Sequence, residues 1–242
     1  MTARKAPDWA TAPFTRFLDQ AERLGQILEI SMRGIMAITV IPDAIQFLAR
    51  AGSEDSAITE AKLEKARVEA ELADSEAKKG FPVLHAQAVV TLWSYLEALA
   101  RSFATEWLRN RPDAIQNPVV SRLKAKIGEY EMLSAQERPS YIFDLLEQEL
   151  GTNLRSGINR VETLLAPFGL SGDVPDDIQR DIFEMGQIRN VLVHRGGIAD
   201  RRFVDCCPWL GTSAGMKCLC RGRSFKSICI RCTGMWCYSS CV

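Results

Sequence analysis

Late in this 242-residue chain, one short segment gathers the side chains best suited to chemistry: Gln187-Ile188-Arg189-Asn190-Val191-Leu192-Val193-His194-Arg195-Gly196-Gly197. On a helix, Asn190 and His194 are four apart and lie one above the other on the same face. Arg189, five before His194, lies roughly 140° around the helix, near enough for a long side chain to lean over. Ile188, Leu192 and Val193 supply apolar contacts beside them. Gly196-Gly197 predicts a helix end, which puts His194 in the last turn. The helix dipole there favours a cationic imidazole, and Arg189 and Arg195 oppose it. An imidazole has an ordinary pKa of about 6.5, so a histidine can both take and give a proton near neutrality.

Such a set suits cleavage of RNA without a metal. That reaction needs a base for the 2′-hydroxyl proton, an acid for the 5′-oxygen and cations for the phosphorane charge. One Arg, one Asn and one His do not fill every role twice, but two copies facing each other across a dimer would. Asn190 would hold the imidazole or contact the phosphate. Arg195, Arg201 and Arg202 either track a phosphate backbone or lie in a solvated loop. Neither a protein nucleophile nor a metal or other cofactor is required. Plainer roles compete: His194 as a helix-end residue meeting the last carbonyls, and Arg189 as the ion-pair partner of Asp181 or Glu184. No G-x-x-x-x-G-K or H-E-x-x-H string occurs, which argues against a P-loop NTPase and a zinc protease.

The elements that must position this segment are helices. Apolar residues recur at three and four, and period-2 alternation is short wherever it occurs. Phe14, Phe17, Leu18, Ala21, Leu24, Ile27 and Leu28 make one face of a first helix that runs to about Ile41, where Pro42 kinks or ends it; Ala44 to Ala49 resume it. Ser53 to Lys79 is a charged helical arm with a thin stripe of Ile58, Leu63, Val68 and Leu72, capped by Ser53 or Ser56 and stopped at Gly80. Phe81 to Arg109 is the most apolar long helix, with Leu84, Ala88, Leu92, Tyr95, Leu96, Leu99, Phe103 and Trp107 spaced to pack on both sides. Trp93, Tyr95 and Trp107 read as core, and His85 as structural. Asn117-Pro118 opens a short helix to about Tyr130. Ser140 caps Tyr141–Leu150, which Gly151 stops, and a further helix covers Leu154 to Phe168. Asp173-Val174-Pro175 starts the last one, which ends near His194.

Composition is ordinary for a globular protein, at 47% apolar and 25% charged residues. Basic and acidic residues balance at 30 each, so net charge gives no whole-chain argument for nucleic acid. No secretory signal is evident, and Leu24–Leu48 carries Glu29, Arg33, Pro42 and Asp43, too polar for a lipid-spanning helix. Cytoplasm, without membrane association, is the expected setting. All 8 cysteines fall between Cys206 and Cys241. From Cys206 on there are five basic residues and no acid, leaving 25 basic against 30 acidic residues before it. Three accounts of this tail stand open: a shifted reading frame or degenerate extension, a zinc site from Cys218, Cys220, Cys229 and Cys232, and an ordered tail without metal.

The R-N-x-x-x-H string at a helix end, followed by Gly-Gly, resembles the R-x4-6-H motif of HEPN domains. Upstream, Leu92-Trp93-Ser94-Tyr95-Leu96-Glu97 resembles the long early helix of RiboL-PSP-type and related HEPN proteins, where a glutamate often sits at that place. The resemblance covers roughly Phe81 to Leu210. It implies an all-α, up-and-down helical bundle that dimerises and brings two motifs into one cleft. It further implies a metal-independent ribonuclease of a toxin–antitoxin or phage-defence system, with a cognate protein or a nucleotidyltransferase-type regulator as partner. Arg189 and His194 would be catalytic, Asn190 supporting and Glu97 auxiliary, unless Glu97 merely pairs with Arg101. The expected organisation is N-terminal helices and arm over 1–80, a HEPN-like domain over 81–210, and a Cys-rich irregular tail over 211–242. The alternative function is a non-catalytic helical module that binds RNA, a nucleotide or a protein partner, for which the charged arm is the contact helix.

Overall fold

Phe14, Phe17, Leu18, Ala21, Leu24 and Leu28 repeat at three and four, and in the computed structural model they form the inner face of α1, Asp8–Ile38. The structure describes residues 8–51, 56–150, 158–170 and 175–218. The expected Ser53 cap, the Gly151 stop, the start of the Leu154 helix, Asp173-Val174 and the cysteines from Cys220 onward lie outside the described residues. Among the described residues the fold is all-α, and its one extended pairing is an isolated antiparallel bridge between Ile198 and Lys217. Ile27 departs from the expected inner face and is exposed.

The first helix ends sooner than the proline predicts. Thr39 turns the chain, its Oγ1 donating to the Met36 carbonyl at 2.7 Å. Pro42 sits at the start of α2, Ile41–Arg50, where its missing N–H costs nothing. Pro42 therefore opens a helix instead of closing one. Among the described residues no single helix is long and apolar enough to cross a membrane; α1 and α2 reach that length only as a pair bent by 41°. The charged arm is α3, Ser56–Lys78. Its inner stripe differs from the one expected: Ala66 and Ala73 are buried, whereas Val68 and Leu72 are exposed. The methyl side chains let α3 approach α1 and α2, which turns the larger aliphatics outward.

Gly80 and Phe81 both take left-handed backbone, at φ 78° and 55°. Glycine does this freely; Phe81 is held there by its buried ring and by its N–H bond to the Glu76 carbonyl at 2.8 Å. His85 is buried one turn into α4, Pro82–Asn110, with Nδ1 donating to the Phe81 carbonyl at 2.9 Å, which makes it part of this connection. Ala88, Leu92, Leu96, Leu99 and Phe103 of α4 are buried, as is Trp93, and Tyr95 and Trp107 pack against the same core. Phe17, Ala21 and Leu28 of α1 belong to that core too.

After α4 the chain is more broken than expected. Asn117 does cap, its Oδ1 accepting from Val119 N at 2.9 Å. Yet its Nδ2 also donates to the Pro167 carbonyl, and only a 3₁₀ turn, Val120–Arg122, forms before four extended residues and the short α5, Ile127–Met132. The next helix, α6, Arg138–Leu150, begins before Ser140. Its start is fixed by Glu137, whose carboxylate accepts from Ser134 N at 2.9 Å and Ser134 Oγ at 2.7 Å. Then come α7, Ile158–Leu165, a 3₁₀ turn at Ala166–Phe168, α8, Asp176–His194, and α9, Arg201–Cys206. Helices α1, α6, α7 and α8 all pack around α4.

This packing sets the cost of truncation. Leu96→Ala, in the middle of α4, should lose about 2–5 kcal/mol of unfolding free energy, whereas Leu72→Ala on the outer face of α3 should stay within about 0.5 kcal/mol. Urea titration followed by circular dichroism measures both.

Candidate active site at the end of helix α8

Asp176 and Asp177 open α8, where negative charge complements the dipole. Ile182, Met185, Ile188 and Val191 form its buried stripe against α4. The stripe ends at the glycine pair. Val191 O accepts from both Arg195 N and Gly197 N at 3.0 Å, and Gly196 and Gly197 take φ of 59° and 80°. Only glycine adopts two such residues in a row at little cost. The helix therefore stops at His194, with Arg189 and Asn190 half-buried and His194 exposed.

Arg189 leans over as the spacing predicts. Its Nη1 lies 3.3 Å from His194 Nε2 and 3.3 Å from Asn190 Oδ1. A guanidinium can only donate, so the contact with His194 requires a lone pair on Nε2 and puts the ring proton on Nδ1. Both distances are at the long end for such bonds. Arg189 and Asn190 are half-buried and His194 is exposed. Asn190 thus holds the arginine. Of the plainer partners expected for Arg189, Glu184 is buried and accepts instead from Trp209 Nε1 at 2.9 Å.

The other candidates lie apart from this trio. Glu97 is half-buried on α4 and takes part in none of the bonds that join Arg189, Asn190 and His194. Arg101, its expected partner, pairs instead with Asp144 and Glu147 of α6 and lies over the Phe143 ring. Arg195 Nε is 3.4 Å from Asp200 Oδ2. Asp200 is also the N-cap of α9, accepting from Phe203 N at 2.8 Å. Arg201 and Arg202 are exposed in the first turn of α9.

What the sequence does not announce is how the helix end is held. After α9 a 3₁₀ turn, Pro208–Leu210, carries Trp209, whose ring lies 4.3 Å beneath the Arg180 guanidinium while its N–H reaches Glu184. The chain then turns back. Ala199 N donates to Met216 O at 2.9 Å, Gly215 N to Ala199 O at 2.8 Å, and Cys218 N to Gly197 O at 2.7 Å. Residues 211–218, expected as the start of an irregular tail, thus fasten the turn that follows His194. The one available signal was Glu184 itself, an acid in the buried register of α8 that had to find a donor.

Burial pushes the Cys207 thiol up to about 12 and the Cys218 thiol up to about 11, so both remain protonated at neutral pH. No group of three or more His, Cys, Asp and Glu among the described residues is arranged to hold a metal ion. Of the four cysteines weighed for zinc, only Cys218 is within them. No protein-family model, curated protein or solved structure matches the chain.

Burial raises the Glu184 carboxyl above its ordinary range and Asp181 adds to this, against the Trp209 bond and Arg180. A carboxyl raised on folding contributes stability at low pH that is lost as pH climbs from its unfolded to its folded value. Glu184→Gln keeps an oxygen for Trp209 and removes the buried charge. The variant should gain melting temperature relative to the parent as pH rises from 4 to 8. A gap that shrinks over that range in pH-dependent thermal melts would reverse the argument.

Proposed function

We propose that this chain is a metal-independent endoribonuclease of the HEPN type. The observation that carries the proposal is Arg189 Nη1 set 3.3 Å from both His194 Nε2 and Asn190 Oδ1 at the outer end of α8. In this mechanism the Nε2 lone pair takes the proton of a ribose 2′-hydroxyl. The 2′-oxygen bonds to the adjacent phosphorus, the bond to the 5′-oxygen breaks, and that oxygen receives a proton. The products are a 2′,3′-cyclic phosphate and a 5′-hydroxyl. Arg189 transfers its donors to the phosphate, whose oxygens gain charge in the transition state and match a planar guanidinium. Asn190 keeps the arginine beside the imidazole in the absence of RNA.

One copy supplies one imidazole. The proton for the 5′-oxygen comes from His194 of a second copy, so the active form is a homodimer. Arg195, Arg201 and Arg202 would follow the RNA backbone on either side of the cleaved bond, and Glu97 has an auxiliary role through α4. The setting is toxin–antitoxin or phage defence in the cytoplasm, with a cognate protein or nucleotidyltransferase-type regulator. The second reading is a helical module that binds without turnover, favoured by the exposed Val68 and Leu72 on α3.

Incubation with structured and unstructured RNA in excess EDTA separates the two. The parent should release fragments with 2′,3′-cyclic phosphate ends. His194→Ala should lower the rate by about 10²-fold or more. Arg189→Lys should also lower it, since lysine cannot offer two parallel donors. Cleavage that survives His194→Ala would overturn the assignment. RNA retained without cleavage by the folded parent would favour the module.

A further inference from the structure

The N-terminal half carries a surface that the ribonuclease reading does not use. Between the last turn of α1, α3 and the first turn of α4 lies an open cleft of about 380 Å³, within the range of binding clefts. Ile35 and Ile38 line it from α1, Leu72 from α3, and Val83 and Leu84 from α4. Leu72 is 67% exposed and Val83 56%. Val68, one turn before Leu72, is 60% exposed, so the apolar strip continues out of the cleft along α3. A small-molecule site encloses most of its ligand. An open groove prolonged by a helical apolar strip suits a second helix laid along it.

Charge narrows the occupant further. The polar side chains lining the cleft are Glu69 and Glu76, with no lysine or arginine among them. Glu69 is 3.8 Å from Lys65. Lys78 is taken by Asp74, and Lys79 Nζ donates to Ser75 Oγ at 2.7 Å. Glu76 is thus left without a cation in ion-pair range among the described residues. A second copy laid here about a two-fold axis would set the same carboxylates against each other.

We propose that this cleft docks an amphipathic helix of a protein partner, with aliphatic side chains at three- and four-residue spacing and a lysine or arginine that meets Glu76. The inference does not depend on the ribonuclease reading. The test is fluorescence anisotropy of the full chain with two labelled helical peptides. Both carry leucine at every third and fourth position; one has lysines beside the leucines and its twin has glutamates. The lysine peptide should bind in the micromolar range, with the twin weaker by about three- to tenfold. Glu76→Lys should reverse that preference. Leu72→Asp should abolish binding while the circular dichroism melt stays that of the parent. Equal binding of both peptides, a preference unmoved by Glu76→Lys, or no binding to the folded parent would overturn the proposal. So would sedimentation showing a dimer that Leu72→Asp dissolves, which would assign the face to self-association.

Discussion

Burial of the broad apolar face of α4 is the constraint from which the arrangement follows. Leu92, Trp93, Leu96, Leu99, Ala100, Phe103 and Ala104 share one broad face of about 140° on that helix, and every one is buried. An apolar face that wide cannot stay open to water. It needs neighbours, and α1, α6, α7 and α8 provide them. Each of these presents an apolar stripe inward and polar residues outward. That division places the chemistry of α8: Ile182, Met185, Ile188 and Val191 are taken by the core, while Arg189 is left half-buried at its margin and His194 exposed.

The end of α8 is determined by a second, local constraint. Val191 O accepts two backbone N–H groups, and the residues that deliver them are positioned by positive φ at Gly196 and Gly197. Substituting a side chain at either glycine would strain the turn. The segment beyond is stitched back by Cys218 N to Gly197 O and by Trp209 to Glu184. The second tie involves a buried carboxyl, and losing the donor would leave one of its oxygens unsatisfied, a cost of about 1–3 kcal/mol for a buried group. The tie therefore acts less by its own net strength than by making the alternative expensive. It couples the turn after His194 to the middle of α8.

Sequence periodicity was a good guide wherever a helix has one clear apolar stripe. The long helices α1, α4 and α8 follow their patterns, and the Arg189–His194 approach follows from the five-residue spacing at a helix end. It was a poor guide where small residues make the contact. In α3 the eye follows Val68 and Leu72, but alanines permit closer approach, and closeness decided which face turned in. Proline and serine misled for a related reason. Pro42 and Ser140 are compatible with a helix start, and where the start falls was settled by Thr39 and Glu137 bonding to nearby groups. The ties from Trp209 and Cys218 join residues 21 to 25 apart in sequence, beyond the reach of any local pattern.

The trio on α8 also limits how the proposed reaction can run. His194 is exposed and Arg189 only half-buried, so in a single chain bulk water screens the charges that would stabilise a phosphorane. The same groups act far more strongly in a site from which water is excluded. RNA alone covers one side of an exposed helix end. In the proposed dimer a second copy would cover another and add the missing acid, so dimerisation would supply the dry environment and the second imidazole in one step. The bond from Arg189 to the Nε2 lone pair fits that order of events. It keeps the guanidinium beside the imidazole while the site is open, and in the proposed reaction it would be surrendered once a phosphate offered the guanidinium a stronger, charged acceptor.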